Sequence, residues 1–205
     1  MSRTKKTVIN ILILAVTLLY VVTFALPHNG YFSSLEEMLE LELEGLYYGE
    51  CEKILKTYET PAGNGMAIGI CDGYLAACEG NKVLLWWKMD DIYSWTNNSG
   101  LYKNGIGGFI EGVNAVCGYT TDTETVEVMY YANVIVSPEK KETIIDIVPV
   151  DENGFFFGEY YERFENEKVD GGYCVYLEGR DAEGNVIWTA GGYKNAEEAL
   201  RMNGM

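Results

Sequence analysis

A single histidine, His28, among 205 residues leaves no side chain from which to build a Ser-His-Asp relay in a folded body and none for an imidazole-rich metal cage. Positive charge is also scarce. Fifteen Lys and Arg stand against thirty-one Asp and Glu, a formal net charge of −16, so the chain lacks the cationic surface whose counterion release drives nucleic-acid binding. Acidic residues are absent where the basic ones begin. The first thirty residues contain Arg3, Lys5 and Lys6 and no Asp or Glu, which leaves residues 31–205 with twelve basic and thirty-one acidic groups, a net −19. There is no internal repeat, no heptad run and no low-complexity stretch. Charged residues at 22% and hydrophobic ones at 48% are ordinary globular values and exclude general disorder.

Several motifs are missing as well. Gly105-Ile106-Gly107-Gly108 lacks the Lys-Ser or Lys-Thr of a phosphate-binding loop. The turn segments Asp151-Glu152-Asn153 and Asp181-Ala182-Glu183-Gly184-Asn185 place hard oxygens near glycine, as calcium loops do, yet neither has the ligand spacing of an EF-hand. Both are expected to be hairpin turns. The Asn97-Asn98-Ser99 sequon matters only in a eukaryotic secretory pathway.

What is present begins with an uncharged run, Thr7 to Leu26, interrupted by only Asn10, three threonines and Tyr20. At about 1.5 Å per residue, twenty residues of helix span about 30 Å, the thickness of a bilayer hydrocarbon core. The basic residues before it orient the N-terminus to the cytoplasm by the positive-inside bias. The run is longer than the apolar region of a cleavable signal peptide, and Thr23 and Ala25 make a poor small-x-small cleavage site. The first cysteine is Cys51, too distant for a lipoprotein anchor. The reading is an uncleaved signal anchor over residues 7–26 with a cytoplasmic stub at 1–6, or a secreted protein if the anchor is cut. A soluble core helix would show polar positions facing water.

After the breaker cluster Pro27-His28-Asn29-Gly30, Ser34 and Glu37 fit a capping box. Leu35, Met38, Leu39, Leu43 and Leu46 recur at helical spacing, with Glu36, Glu40 and Glu44 on the opposite, solvated face. Gly45 or Gly49 ends that helix. A meander follows. Glu52 to Thr60 alternates, with Ile54, Lys56, Tyr58 and Thr60 on one side. Met66 to Cys71 and Tyr74 to Glu79 flank Asp72-Gly73, a strong hairpin signal. Gly80-Asn81 reads as the next turn, before a strand from Val83 to Met89. Residues 31–96 thus form an amphipathic helix on a β-meander. A loop-rich joint covers Asn97 to Gly108. Residues 109–194 hold β-branched and aromatic runs at Thr125–Val136, Thr143–Val150, Phe155–Phe164, Gly172–Glu178 and Val186–Thr189, the pattern of a small immunoglobulin-like β-sandwich. Residues 195–205 form a short helix, capped by Asn195, or a tail. The fold class is α+β, mostly antiparallel β, with an N-terminal transmembrane helix.

The order of basic stub, apolar anchor, Glu-rich helix, meander with Asp72-Gly73 and aromatic strand at Trp86-Trp87 resembles small uncharacterised signal-anchored extracytoplasmic proteins of low-GC Gram-positive bacteria over residues 1–90. The resemblance implies a location and a style of fold and carries over no functional residue.

The five cysteines are Cys51, Cys71, Cys78, Cys117 and Cys174. A two-residue turn at Asp72-Gly73 sets Cys71 opposite Tyr74 and Cys78 opposite Ala67, four ladder positions and about 13 Å apart, so these two are not bridged. Cys51, Cys117 or Cys174 could pair with one another or reach the hairpin, and an odd thiol always remains; most are read as buried small hydrophobes. A C-x6-C zinc site is not expected without histidine. Asp90 and Asp91 follow Trp86-Trp87 and precede Tyr93 and Trp95, a mixture that could stack a sugar ring or supply the paired acids of glycoside hydrolysis. Strand alternation buries one of the two tryptophans and leaves the other outside. The sixteen tyrosines, with adjacent pairs such as Tyr130-Tyr131 and Tyr160-Tyr161, suit sheet surfaces.

These features yield an expectation of a membrane-anchored, non-enzymatic binding or accessory protein of the cell envelope. No catalytic residue, cofactor or metal ligand is assigned, and the ligand-binding residues stay open. The partners expected are the membrane, through residues 7–26, and an envelope protein or neutral glycan, but not nucleic acid. The alternatives are a carboxylate-based cell-wall glycan hydrolase using Asp90 or Asp91, and a calcium-binding surface protein.

Overall fold

The computed structural model describes residues 3–46, 49–71, 74–96, 105–110, 113–160, 163, 171–191 and 196–202. An N-terminal helical rod comprises α1 (Arg3–Tyr20), a π-helical turn at Val21–Ala25 and α2 (Leu26–His28). The helix therefore continues through Pro27 rather than breaking there. Proline has no N–H to bond back four residues. The wider turn just before it, closed by the Leu26 amide on the Val21 carbonyl, and an Asn29 side chain donating to the Ala25 carbonyl at 2.6 Å accommodate it. Lys5–His28 is long and apolar enough to cross a membrane, and none of its most apolar window is buried in the protein.

Two residues later a short β1 (Tyr31–Phe32), absent from the sequence-based expectation, pairs with Trp87 and Lys88. Helix α3 (Leu35–Gly45) starts where the Ser34 side chain accepts the Glu37 amide at 3.1 Å. The return half of the cap is shifted by one residue. The Glu37 carboxylate accepts from the Ser33 amide and hydroxyl, not from Ser34. Leu35, Met38, Leu39 and Leu43 are buried, whereas Leu46 is the helix C-cap and exposed.

The first sheet has the order β1-β5-β4-β3-β2, with β2 (Cys51–Glu59), β3 (Asn64–Cys71), β4 (Tyr74–Val83) and β5 (Trp86–Thr96) antiparallel. The register places Cys71 opposite Tyr74 and Ala67 opposite Cys78, as the hairpin reading requires; Asp72 and Gly73 themselves lie outside the described residues. Two expectations for this sheet are corrected. The turn is not at Gly80-Asn81: β4 runs on to Val83, and Leu84-Leu85 make the turn. Gly80 instead serves a bulge in the β4–β5 ladder, where a Cβ would stand 2.6 Å from the Lys88 carbonyl oxygen. Nor does β2 alternate simply. Irregularities at Cys51/Lys53 and Ile54/Lys56 reset the faces, so Ile54 packs beneath α3 while Tyr58 packs on the opposite face.

Two more strands appear where none was expected: β6 (Gly105–Ile110), which begins inside the expected loop-rich joint, and β7 (Ala115–Thr120), just beyond it. With β10 (Phe155–Glu159) they form a three-stranded sheet of order β10-β7-β6. A four-stranded sheet has the order β12-β11-β8-β9, from β8 (Glu127–Ser137), β9 (Lys140–Pro149), β11 (Gly171–Arg180) and β12 (Val186–Ala190). The aromatic run expected to extend to Phe164 thus ends as a strand at Glu159. Helix α4 (Ala196–Met202) follows; Asn195, its expected cap, lies outside the described residues.

Three clusters bind these layers in sequence. Leu39, Leu43, Cys71, Cys78 and Trp87 lie between α3 and the first sheet. Met66, Ile68, Leu75 and Ala77 on the other face of that sheet meet Ile106, Ala115, Cys117 and Phe155 of the three-stranded one. Val116 and Phe156, on the reverse of the three-stranded sheet, pack with Val128, Tyr130, Leu177 and Trp188 of the four-stranded one. Ala199 of α4 joins Met129, Tyr131 and Tyr176 on the last outer face. At the centre Gly118 has no room for a side chain. A Cβ would sit 1.9 Å from the Phe156 ring and 2.3 Å from the Ile106 carbonyl oxygen. Gly118→Ala is expected to destabilise the protein by about 1–3 kcal/mol through overpacking, read as a lowered urea midpoint with an unchanged slope.

Candidate functional site

Hairpin chemistry builds a cleft of about 310 Å³ between the segment that follows β7 and the turn that precedes β10. Its walls carry Thr120, Asp122, Thr125, Asp151, Glu152 and Asn153. One of the two calcium-like turns read from the sequence therefore does line a cavity, together with Asp122, which the sequence reading did not single out. The two segments lie about thirty residues apart in the chain and are joined by the Thr120 amide donating to the Gly154 carbonyl at 2.8 Å.

Two of the cleft carboxylates, Asp122 and Asp151, hold its loops. Asp122 Oδ1 accepts from the Glu124 amide at 3.0 Å and the Thr125 hydroxyl at 3.2 Å. Asp151 Oδ1 accepts from the Asn153 and Phe155 amides at 2.8 and 3.0 Å. The Trp188 indole donates to Thr125 Oγ1 at 2.6 Å, which ties the cleft wall to the core of the four-stranded sheet. Lys53 of β2 donates to Asn153 Oδ1. The second calcium-like turn repeats the pattern: Asp181 accepts from the Glu183 and Asn185 amides and from the Asn185 side chain. The Asn185 side chain and amide, with the other turn amides, hold its carboxyl below the ordinary aspartate range. Among the described residues no group of three His, Cys, Asp or Glu side chains converges to hold a metal ion.

Asp90 and Asp91 lie on exposed strand, not in the cleft. The Asn81 side chain donates to Asp90 at the β-bulge, and Asp91 accepts from the Ile92 amide at 2.8 Å. Asp91 stands opposite Glu79 across the β4–β5 ladder. Trp87 is 6% exposed, packed under α3, and Trp86 is half-buried, the inside-and-outside division expected of neighbours in a strand. Glu36, Glu40 and Glu44 are all exposed.

Sequence reading overlooked the β4–β5 tip. Leu84 and Leu85 are 90% and 85% exposed, and Leu84 adopts φ +60°, a conformation that favours glycine at the first central position of a two-residue hairpin turn. Val83 and Trp86 extend the apolar edge, with Lys82 and Lys88 beside it. The result is an exposed apolar pair at a strained tip; the signal in the sequence was the leucine doublet between Val83 and Trp86, masked by the stronger turn composition at Gly80-Asn81.

No protein-family model, no curated protein and no solved structure matches the chain. Of the three acids that line the cleft, Asp122 and Asp151 are engaged by its own loops. Because Asp151 and Asp181 already accept from the backbone amides of their own turns, calcium in millimolar excess is expected to give no saturable heat in calorimetry and no change in melting temperature. A saturable heat with a rise in melting temperature would contradict this reading.

Proposed function

We propose that the chain is a membrane-anchored extracytoplasmic protein of the cell envelope. Residues 7–26 span the bilayer with the N-terminus in the cytoplasm, and the β-rich body binds an envelope protein or neutral glycan without catalysing a reaction. The observation that carries this reading is the apolar helix Lys5–His28, none of whose most apolar window is buried in the body. Its Ile, Leu, Val and Phe side chains find no partner surface in the body, and a bilayer supplies the missing apolar environment. Arg3, Lys5 and Lys6 at its start favour the cytoplasmic side. The opposing charge of the body, net −19 over residues 31–205, belongs to the other compartment.

We read the seven strands β6 to β12 as an immunoglobulin-like sandwich. In support, a three-stranded and a four-stranded antiparallel sheet share one core, the strand count and layering of that architecture. Sandwiches of this kind recur in cell-surface domains that bind other molecules, a fold-level analogy. The Leu84-Leu85 tip supplies a specific contact point for such binding.

Alkaline carbonate extraction tests the anchor: the protein is expected to stay in the membrane pellet with Arg3 to Lys6 still present in its N-terminal peptide, and release of the intact chain into the supernatant contradicts the reading. For binding, Leu84→Asp combined with Leu85→Asp is expected to leave the melting temperature within a few degrees, because both side chains are solvent-exposed, while reducing crosslinked partner recovered from intact cells at least tenfold. Unchanged recovery excludes the tip as the contact.

A further inference from the structure

We propose that Cys51 and Cys71 form a reversible disulfide that staples the edge strand β2 to β3. The two cysteines stand directly opposite each other in the antiparallel β2–β3 ladder. Facing residues in such a ladder have Cα atoms about 4.5–5.5 Å apart, inside the range that a disulfide spans without backbone movement. Both side chains lie on the sheet face beneath α3, Cys71 within the core cluster and Cys51 packed against it. The Cys51 sulfur lies over Gly69, where a Cβ would stand 2.7 Å away, and the Cys51 thiol donates to the carbonyl of Ile70, the residue before Cys71, at 3.7 Å. All five cysteines carry free thiols in the structure, so the pair is held close in its reduced form.

No other cysteine is placed to compete. Cys78 faces Ala67, about 13 Å along the ladder from Cys71 at about 3.3 Å per residue. Cys117 belongs to the cluster between the first and three-stranded sheets, and Cys174 packs against the cluster on the far side of the latter.

The chemistry has a defined order. Cys51 is half-buried and Cys71 fully buried, so Cys51 is the point of entry. Burial first, then the neighbouring Cys51, pushes the Cys71 thiol above the ordinary cysteine value, which makes it a poor first nucleophile. The Cys51 thiolate attacks one sulfur of a small-molecule disulfide such as oxidised glutathione, forming a mixed disulfide and expelling one glutathione thiolate. Cys71 then gives up its proton and attacks the Cys51 sulfur, expelling the second. Two protein thiols are oxidised to one disulfide, one oxidised glutathione is reduced to two thiols, and the two protons end on the leaving thiolates. Formation in the cell rests on the proposed extracytoplasmic placement, where disulfides persist; the pairing itself does not.

The test equilibrates detergent-solubilised full-length protein with oxidised glutathione, then unfolds it in an alkylating reagent and maps its peptides. Five alkylated cysteines in the reduced protein are expected to fall to three, with one linked peptide joining Cys51 to Cys71. Dithiothreitol is expected to lower the melting temperature of the oxidised wild type and leave that of Cys51→Ser, a half-exposed position, unchanged. Five alkylated cysteines after oxidation, or a linked peptide joining a different pair, would overturn the proposal. Protein trapped with alkylator in living cells is expected to carry the same link. A link formed in vitro but absent from cells would overturn its formation there and count against the extracytoplasmic placement, whereas failure in vitro counts against the pair alone.

Discussion

The three-stranded sheet β6–β7–β10 is buried on both faces, and the body depends on it. Alternate residues of β7 and β10 serve opposite layers: Ala115, Cys117 and Phe155 pack towards the first sheet, and Val116 and Phe156 towards the four-stranded one. Fully burying a side chain of the Val or Phe kind is worth about 1.5–3 kcal/mol, and here the contributions fall on both sides of a single layer. A sheet covered twice leaves no room for unpaired charge in the middle of its strands. This explains why β7 reads as Ala-Val-Cys-Gly-Tyr-Thr, with no charge, and why Gly118 sits where the Phe156 ring crosses.

The same constraint explains which parts of the fold were legible in the sequence. Helix α3 was readable because one face is apolar and the other is glutamate, and the β3–β4 register was readable because period-two strands flank a tight turn. Strands β6 and β7 were not, since their glycines imitate loop composition while serving close packing between sheets. Gly80 misled for a related reason: its missing side chain admits a crossing carbonyl at a bulge rather than a turn. In β2 a local irregularity at Ile54/Lys56 rotates the chain between Ile54 and Tyr58, and simple alternation has no means of registering it. The candidate site was half legible. Asp151 and Asp181 were correctly placed in turns, but the cleft needs Asp122, and only the tertiary pairing of Thr120 with Gly154 brings those two segments together.

Cover is also the theme at the two exposed apolar features. The N-terminal rod carries a run of exposed large apolar side chains, and the Leu84-Leu85 tip carries two that are 90% and 85% exposed. They stand on one structural unit: β1 begins two residues after α2, and its Gly30 neighbour accepts the Met89 amide of β5 at 3.2 Å, while β5 is the strand that leads from the tip. The tip is five or fewer residues from that junction along β5, about 15 Å at about 3.3 Å per residue. Whatever binds the tip therefore does so close to the membrane surface in the proposed arrangement, and a β2 strand stapled to the same sheet would stiffen the platform that presents it.

Sidedness is the most direct test of this account. Lys140 and Lys141 on β9 and Lys5 and Lys6 at the start of the rod are all exposed, so a membrane-impermeant amine reagent applied to intact cells distinguishes the two ends. The account predicts labelling at Lys140 and Lys141 in intact cells, and at Lys5 and Lys6 only after permeabilisation. Lys140 and Lys141 remaining unlabelled until the membrane is opened would contradict it.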